Sequence, residues 1–265
     1  MDGVRLYFRS MLMYLKARMN YPRSFFIQTL SQLVMLGGEL MAVLLLIDRF
    51  GGLKGWTGGD LLFFFGLLAT AFFICECFFR GVTCFPPLVR SGRLDTFFLR
   101  PRGILTQTLC AELDARRLGA ILIGVLALLL GSAQAKVRWT VLKALCLLLS
   151  LGGACMLILG LFLLEATLSI FSVQSIEIVN ALTYGGRSAC QYPIDIYPKP
   201  LRILFIFVAP FALTTHLPAS YILGKTMFNV PGWTAFLAPA AGGITLFFSY
   251  LLFRWALKRY RSTGS

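Results

Sequence analysis

The sequence predicts an all-α, polytopic membrane protein with six transmembrane helices, and its composition, hydropathy and charge distribution each support that class. Of the 265 residues, 58% are hydrophobic and only 14% are charged, and the mean hydropathy is +0.78. Soluble domains have about 25% charged residues, so this chain has too few to cover a soluble surface. The net charge is +14, and the basic residues that produce it lie between apolar runs rather than along one face. Membrane anchoring therefore explains it better than binding of nucleic acid, which we do not expect as a partner.

Residues 3–22 are predicted to form an amphipathic helix that lies on the membrane surface. Arg5, Arg9 and Lys16 fall on one stripe at 100° per residue, and apolar residues cover much of the remaining face. A basic stripe on an apolar helix favours the headgroup plane over a transmembrane path. Pro22 should end this helix, so the first span is expected to begin just after it.

Five stretches are long and apolar enough to cross the membrane, since a span needs roughly 20 apolar residues for about 30 Å of hydrocarbon. They lie at about 25–47, 61–80, 118–133, 141–168 and 234–256. The region between 172 and 224 is ambiguous. Hydropathy alone favours a fifth span at 201–220, although Pro210 interrupts it and Pro218 follows. We treat the whole chain, 1–265, as one transmembrane domain.

The positions of the basic residues predict that both termini face the cytoplasm. With the N-terminus inside, 16 Lys and Arg residues lie in inner segments and at most 9 in outer ones. This is the asymmetry of the positive-inside rule. Seven of the inner basic residues belong to the longest connection, residues 81–117 together with Arg80. Arg117 is one of these seven, and we expect it to contact lipid headgroups. That loop is too short for a soluble domain, so any ATP hydrolysis must come from another chain.

Two motifs indicate a family. Residues 89–109 read VRSGRLDTFFLRPRGILTQTL, and residues 192–219 read YPIDIYPKPLRILFIFVAPFALTTHLPA. Together with the span order they resemble type-2 ATP-binding-cassette (ABC) exporter permeases, in particular a six-span bacterial group described as uncharacterised transport system permeases. The resemblance implies a plasma (inner) membrane location and a substrate passage for ATP-driven export. It also implies a cytoplasmic ABC ATPase subunit in two copies and a second permease subunit, the same or paralogous.

The resemblance further implies that the inner loop docks on the ATPase through a short coupling helix. The matching positions are these: Arg93, Asp95, Phe97, Phe98, Leu99, Arg100 and Pro101. Charged residues suit the rim of such an interface, and apolar ones suit its centre. The alternative is a basic loop that only contacts anionic headgroups. Cofactors would be ATP and Mg²⁺ on the partner ATPase, and none on this chain.

The same resemblance assigns the ambiguous region. It implies a fifth span at about 173–192 and a re-entrant hairpin at about 200–222 that dips into the membrane without crossing it. The hydropathy assignment, with a span at 201–220, is the alternative. Proline residues free backbone carbonyls within a membrane, which is tolerable where protein or a water-filled cavity surrounds them.

Four ionisable residues within spans are candidates for lining a substrate pathway: Glu39, Glu76, Glu165 and Arg187. Charges in hydrocarbon are costly and usually face a bundle interior or cavity. They could instead be structural, or form a proton relay, which would indicate a secondary transporter; a membrane-embedded enzyme is a further alternative.

No catalytic or metal site is predicted. The seven cysteines lack metal-ligand spacing, and the stretch ASYILGKT at 219–226 lacks the first glycine of a phosphate-binding loop. The single histidine, His216, has no nucleophile placed beside it by any motif. We therefore expect the chain by itself not to be an enzyme.

Overall fold

The computed structural model describes residues 3–50, 55–172, 174–225 and 230–260, which are almost entirely helical and contain no strand. The first half comprises α1 (Gly3–Met19), α2 (Pro22–Phe50), α3 (Gly58–Phe78), α4 (Arg80–Thr83), α5 (Phe85–Arg90), α6 (Asp95–Phe98), α7 (Ile104–Leu109) and α8 (Leu118–Gln134). The second half comprises α9 (Val141–Leu168), α10 (Gln174–Asn180), α11 (Gly186–Cys190), α12 (Lys199–Ile203), α13 (Leu217–Leu223) and α14 (Ala238–Arg259).

Five helices are long and apolar enough to span a membrane, which confirms the all-α polytopic prediction. They are Pro22–Leu45, Gly58–Phe78, Ala115–Gln134, Val141–Leu168 and Gly232–Arg259, and each overlaps a predicted span. A sixth could be formed by two helices, Lys199–Val208 and Ala212–Leu223, which are bent by 82°. The helix of residues 174–190 is outside this set. It consists of α10, a π-helical turn and α11.

The centre of the bundle is α3, whose side chains are almost all buried, including Phe63, Phe64 and Phe65. Helix α8 lies directly against it. A Cβ atom placed on Gly66 would come within 2.2 Å of the Leu128 backbone nitrogen, and one on Gly131 within 2.5 Å of the Phe63 nitrogen. The absence of side chains at these glycines lets the two backbones touch, as is common between transmembrane helices.

Helices α9 and α14 form a second close pair. A Cβ atom on Gly153 would lie 2.4 Å from the Ala238 carbonyl oxygen, and one on Gly242 would lie 2.0 Å from the Gly153 oxygen. Small residues here allow a long backbone contact, and the contact holds the last helix against the centre of the bundle.

One end of the bundle carries α1, the 79–117 loop and the end of α14; we call it the loop end. The Tyr7 hydroxyl donates to the Phe78 carbonyl oxygen over 2.5 Å, which places α1 beside the last turn of α3. The Tyr260 hydroxyl donates to Asp95 Oδ1 over 3.0 Å. Both termini of the described chain therefore lie at the loop end.

Residues 174–195 run along α3 from the loop end to the opposite end. Tyr184 contacts Glu76 near the last turn of α3, and the Arg187 guanidinium lies over Phe72 and Phe73. Further on, the Trp56 indole N–H, just before α3 begins, donates to the Asp195 carboxylate over 3.1 Å.

The bent pair begins and ends at that opposite end, which we call the hairpin end. Asp195 precedes the pair and binds Trp56, while Lys225 follows it and forms a salt bridge with Asp60 and a hydrogen bond of 2.9 Å to the Gly55 carbonyl oxygen. The bend lies at Ala209–Pro210, and Ser150 of α9 donates to the Thr214 carbonyl oxygen over 2.7 Å just beyond it. This hydrogen bond provides a donor for the Thr214 carbonyl group, which lies four residues before Pro218, a residue without a backbone N–H.

Candidate functional site

The 79–117 loop is a folded structure with one exposed face. Pro86 and Pro87 lie in the first turn of α5, and Gly92, at a φ of 68°, turns the chain back. Leu94 is fully buried beneath this turn. Gln107 of α7 donates to the Phe97 and Arg102 carbonyl oxygens over 2.9 and 2.8 Å, so the segment after α6 is held from behind.

The outward surface of α6 and the residues after it is apolar at its centre and basic around it. Leu99 is 85% exposed and Phe98 is 48% exposed. Arg93, Arg100 and Pro101 are exposed as well. We call this surface, Arg93 with Phe98–Pro101, the docking face. Leu99 and Phe98 thus form a small exposed apolar patch within a basic surface.

The two other predicted coupling residues have contacts within the chain. Phe97 is half-buried against the core, and the Arg100 guanidinium lies 5.9 Å above its ring. Asp95 accepts the hydrogen bond from Tyr260, whose ring stacks on Phe98 with centroids 5.6 Å apart. Sequence reasoning missed Tyr260, because it is 165 residues away in the chain and no motif marks it.

A second polar site lies inside the bundle. Three of the four candidate pathway residues, Glu39, Glu76 and Arg187, line one cleft of about 130 Å³ between α2, α3 and α11. Arg117 and Tyr184 line it too. We call it the polar cleft. None of the spacings in the sequence indicates this convergence, since Glu39 and Arg187 are 148 residues apart.

Ion pairs hold both carboxylates of the polar cleft. Arg187 Nη2 lies 2.6 Å from Glu39 Oε2, and Arg117 Nε lies 3.1 Å from Glu76 Oε2. Tyr184 donates to Glu76 over 3.2 Å. The Arg187 guanidinium is also 5.1 and 4.8 Å from the Phe72 and Phe73 ring centroids. A planar cation between aromatic faces and a carboxylate is a geometry that Lys cannot reproduce.

Arg116 and Arg117 connect this cleft to the loop end. Arg116 binds Asp114 through two hydrogen bonds of 2.5 and 2.7 Å, and Arg117 binds Gln32 of α2 over 2.5 Å. Burial disfavours the charged form of Asp114, but the hydrogen bond and charge of Arg116, with the charge of Arg117, outweigh it and lower the pKa of Asp114 below its ordinary value. Arg117, counted in the sequence among headgroup charges, is thus an internal ion-pair residue.

The remaining candidates lie apart. Glu165 of α9 is 7% exposed, and its Oε2 atom has no hydrogen-bond partner among the described residues. It does not line the polar cleft. His216 is fully buried, stacks on Phe64 at 5.0 Å and donates from Nε2 to the Tyr192 carbonyl oxygen over 2.9 Å. Within the described ranges no group of three or more His, Cys, Asp or Glu side chains could hold a metal ion.

Comparison with known families decides the identity. The profile described as ABC-2 family transporter protein matches residues 33–264, which is most of the chain. The chain belongs to the ABC-2 transporter family. The match includes the docking face and the polar cleft, and it confirms the resemblance to type-2 ABC permeases. Neither a curated protein nor a solved structure matches the chain.

Membership of the ABC-2 family, with the five apolar helices, makes this chain a membrane-embedded permease component of an ABC transporter. Permeases of this family generally work with an ATPase subunit, which supports a partner of that kind. They are membrane components rather than catalytic ones.

Proposed function

We propose that this ABC-2 permease forms the substrate passage of an ATP-driven exporter and that a separate cytoplasmic ATPase binds its docking face. The observation that carries the proposal is the exposure of the Leu99 side chain. It is 85% exposed beside Phe98 and basic residues, whereas Leu94 and Phe97 of the same loop pack into the bundle. Family membership supports the kind of partner.

The docking face has the features of an anchor for a protein partner. Interfaces concentrate their energy in a few apolar or aromatic side chains surrounded by a polar rim, and Leu99 and Phe98 with Arg93 and Arg100 fit this description. The face is also preorganised, because Tyr260 and Gln107 hold α6 and the segment after it in place. Ordering a flexible loop on binding would cost affinity, and a loop that is already ordered avoids this cost.

We propose an assembly of two ATPase and two permease copies, the second permease being identical or paralogous. ATP and Mg²⁺ would bind the ATPase subunits and not this chain. Closure of the ATPase pair would push the two docking faces together and rock the permeases against each other. The difference in ATP affinity between the two states of the ATPase would drive this change.

We propose that the loop end faces the cytoplasm of a bacterial cell and that the chain crosses the inner membrane six times. Residues 173–192 would be the fifth crossing, because the segment extends along α3 from the Glu76 level to the Trp56 level. Residues 200–222 would be the re-entrant hairpin. The contacts of Asp195 and Lys225 support this, since both ends of the bent pair lie beside the start of α3.

The polar cleft is the proposed lining of the passage within this permease. It is a place where the described structure gathers ionisable side chains inside the apolar bundle, and Glu39 remains 39% exposed at its rim. Both carboxylates are already paired with arginines. This pairing favours a role in contacting a polar part of a substrate over a proton relay, which needs a carboxyl group free to exchange protons.

Purification of the complex tests this proposal. The permease, expressed with a candidate ABC ATPase from the same genome and solubilised in mild detergent, should run as one complex with two copies of each subunit by mass photometry or native mass spectrometry. Reconstituted vesicles should accumulate or lose substrate only with ATP. A permease that purifies alone and transports fully without the ATPase would overturn the proposal.

A further inference from the structure

A large cleft separates α1 from the 79–117 loop at the loop end. Its volume is about 690 Å³, within the usual range for small-ligand sites. Leu6, Ser10 and Tyr14 of α1 form one wall, and the loop forms the other. The cleft is distinct from the polar cleft. It shares Arg93, Arg100 and Pro101 with the docking face, whereas Phe98 and Leu99 do not line it. We call it the headgroup cleft.

The loop wall of the headgroup cleft is strongly cationic. Arg93, Arg100 and Arg102 line it, and none of them forms an ion pair with an acidic residue of the described ranges. The single acid in the lining, Glu112, lies 3.8 Å from Arg18 and accepts a hydrogen bond of 2.9 Å from the Cys84 thiol. Three guanidinium groups without a matching carboxylate therefore favour an anion in the cleft.

The thiol of Cys84 adds no negative charge to this lining. Burial, with the hydrogen bond to Glu112, raises the pKa of Cys84 to about 12, so it is protonated at neutral pH. The cationic excess of the wall is therefore not offset by a thiolate.

Gln107 contributes to the lining of the cleft a hydrogen-bond acceptor that is unpartnered within the described ranges. This side chain lines the cleft and is 7% exposed. Its amide nitrogen is fully used by the Phe97 and Arg102 carbonyl oxygens, whereas its carbonyl oxygen, Oε1, is buried and has no partner among the described residues. A buried acceptor without a donor is costly, so a ligand hydroxyl or ammonium group would stabilise it.

The surroundings of the headgroup cleft indicate where such a ligand comes from. The outer side of α1 exposes Phe8, Leu12 and Met13, each by 59% or more, and Leu6 of the same helix lines the cleft. An amphipathic helix with exposed apolar side chains lies at the boundary between headgroups and acyl chains. We therefore expect the cleft to open to membrane lipid at the depth of the phosphates.

We propose that the headgroup cleft binds one anionic phospholipid whose headgroup has a hydroxyl group, with phosphatidylglycerol as the simplest case. The phosphate would lie among Arg93, Arg100 and Arg102, and a headgroup hydroxyl would donate to Gln107 Oε1. The acyl chains would extend past the exposed apolar side chains of α1. Such a lipid would fill the gap between the interfacial helix and the loop. The inference requires only the membrane location and not the ATPase assignment.

Three lipids of graded chemistry test the proposal by native mass spectrometry of the delipidated full chain. Phosphatidylglycerol carries both the charge and the hydroxyl groups; phosphatidylmethanol carries the same charge and phosphodiester without a hydroxyl; phosphatidylcholine has neither the net charge nor a donor. We expect phosphatidylglycerol to bind about fivefold more tightly than phosphatidylmethanol, equivalent to about 1 kcal/mol for the Gln107 hydrogen bond. Phosphatidylmethanol should bind more tightly than phosphatidylcholine.

The matched variants are Arg102→Gln and Arg90→Gln. Both arginines are exposed on the same loop, but Arg102 lines the headgroup cleft and Arg90 does not. Arg102→Gln should weaken phosphatidylglycerol binding about fivefold, as expected for one basic residue at an anionic lipid, and Arg90→Gln less than twofold. Neither should lower the melting temperature of the lipid-free chain.

Three results would overturn the proposal. Equal losses from the two arginine variants would show a diffuse surface charge effect, and equal binding of phosphatidylglycerol and phosphatidylmethanol would remove the role of Gln107. Displacement of phosphatidylglycerol by millimolar inorganic phosphate, with no dependence on the acyl chains, would show a site for a soluble anion.

Discussion

The Tyr260 hydroxyl donates a hydrogen bond of 3.0 Å to Asp95 Oδ1 and joins the end of the last helix to the first residue of α6. The Tyr260 ring also stacks on Phe98, nearly parallel at 9°. Because α14 packs backbone to backbone on α9, Tyr260 connects α6 to a helix that is held in the core of the bundle. Tyr260 is thus a positioning residue for the proposed coupling surface.

Tyr260→Phe should weaken the coupling while leaving the fold intact. The change removes the hydrogen bond and keeps the ring, and a hydrogen bond to a charged acceptor at a partly exposed site is worth about 1 kcal/mol. We expect the affinity for the ATPase to fall about fivefold and Tyr260→Ala to cost more, because the stack with Phe98 is lost as well. Titration of the reconstituted permease with ATPase measures this.

Tyr250→Phe is the control for the same helix. The Tyr250 hydroxyl makes no hydrogen bond with a side chain or carbonyl group of the described chain, so its removal should change neither docking nor stability. An equal effect of the two substitutions would show that Tyr260 acts through general helix stability.

Arg187 and Glu39 should be energetically coupled. Their ion pair is partly exposed on the Glu39 side, so removing Arg187 should cost about 2 kcal/mol rather than the larger penalty of a fully buried pair. In a double-mutant cycle of Arg187→Met and Glu39→Met, the second change should cost less after the first. Arg187→Lys should not restore the wild-type value, because ammonium cannot lie between the two phenylalanine rings and bind Glu39 at once. The free energy of unfolding in detergent measures these costs. If the losses from the two single substitutions simply add in the double variant, the coupling is contradicted.

The polar cleft should affect transport more than assembly. If its residues line the passage, Glu39→Gln should change substrate transport while binding of the ATPase stays within about twofold of the wild type. Vesicle transport and ATPase titration on the same preparation give both values. Loss of both in parallel would show that Glu39 is structural.

Two adjacent glycines of α9 give a sharp test of the close pair α9–α14. A Cβ atom on Gly153 would clash with Ala238 and Pro239, whereas Gly152 has open space within 4 Å. Gly153→Val should separate the helices and destabilise the chain by about 3 kcal/mol, as overpacking does. Gly152→Val should be neutral or slightly stabilising, because the position has room for the side chain and Val has a higher helix propensity than Gly. Thermal unfolding in detergent is the measurement. Equal melting temperatures for the two variants would contradict the close packing of α9 on α14 at Gly153.

Accessibility labelling should distinguish the two topologies of the region 172–224. In a background without the native cysteines, Lys199→Cys should react with an impermeant reagent added from outside if residues 200–222 re-enter the membrane. Lys199 is exposed, and it follows Asp195 at the hairpin end. Arg90→Cys at the loop end should react only after the membrane is opened. Labelling of Lys199→Cys only from the cytoplasm would restore the span at 201–220.

The sequence predicts the long helices well because each is a mainly apolar segment of 20 to 28 residues, and the bilayer imposes that length whatever the tertiary contacts are. The motif at residues 89–109 can likewise be found in the sequence alone. By contrast, the orientation of Phe97 inward and Phe98 outward depends on a four-residue helix whose direction is set by Leu94 and Gln107. Hydropathy could not distinguish these two residues.

Polar contacts between residues far apart in the chain also could not be predicted from the sequence. Arg117 looks like a headgroup charge in the sequence, but α2 and α3 place Gln32 and Glu76 against it. The convergence of Glu39 and Arg187 likewise depends on how α2 and α11 pack on α3. Asp195 and Lys225 indicate the path of the bent pair only once their partners at the start of α3 are known.

The most direct test of the docking face compares Leu99→Ala with Leu142→Ala. Both leucines are largely exposed, at 85% and 58%, but Leu142 begins α9 at the end of the bundle away from the docking face. Binding of the purified ATPase to each variant in nanodiscs is the measurement. A central anchor typically contributes about 2 kcal/mol or more, so Leu99→Ala should weaken binding more than tenfold and reduce transport, with membrane insertion intact and Leu142→Ala unchanged. Equal, small effects from both substitutions would contradict the account and show that the loop is a surface that only contacts lipid headgroups.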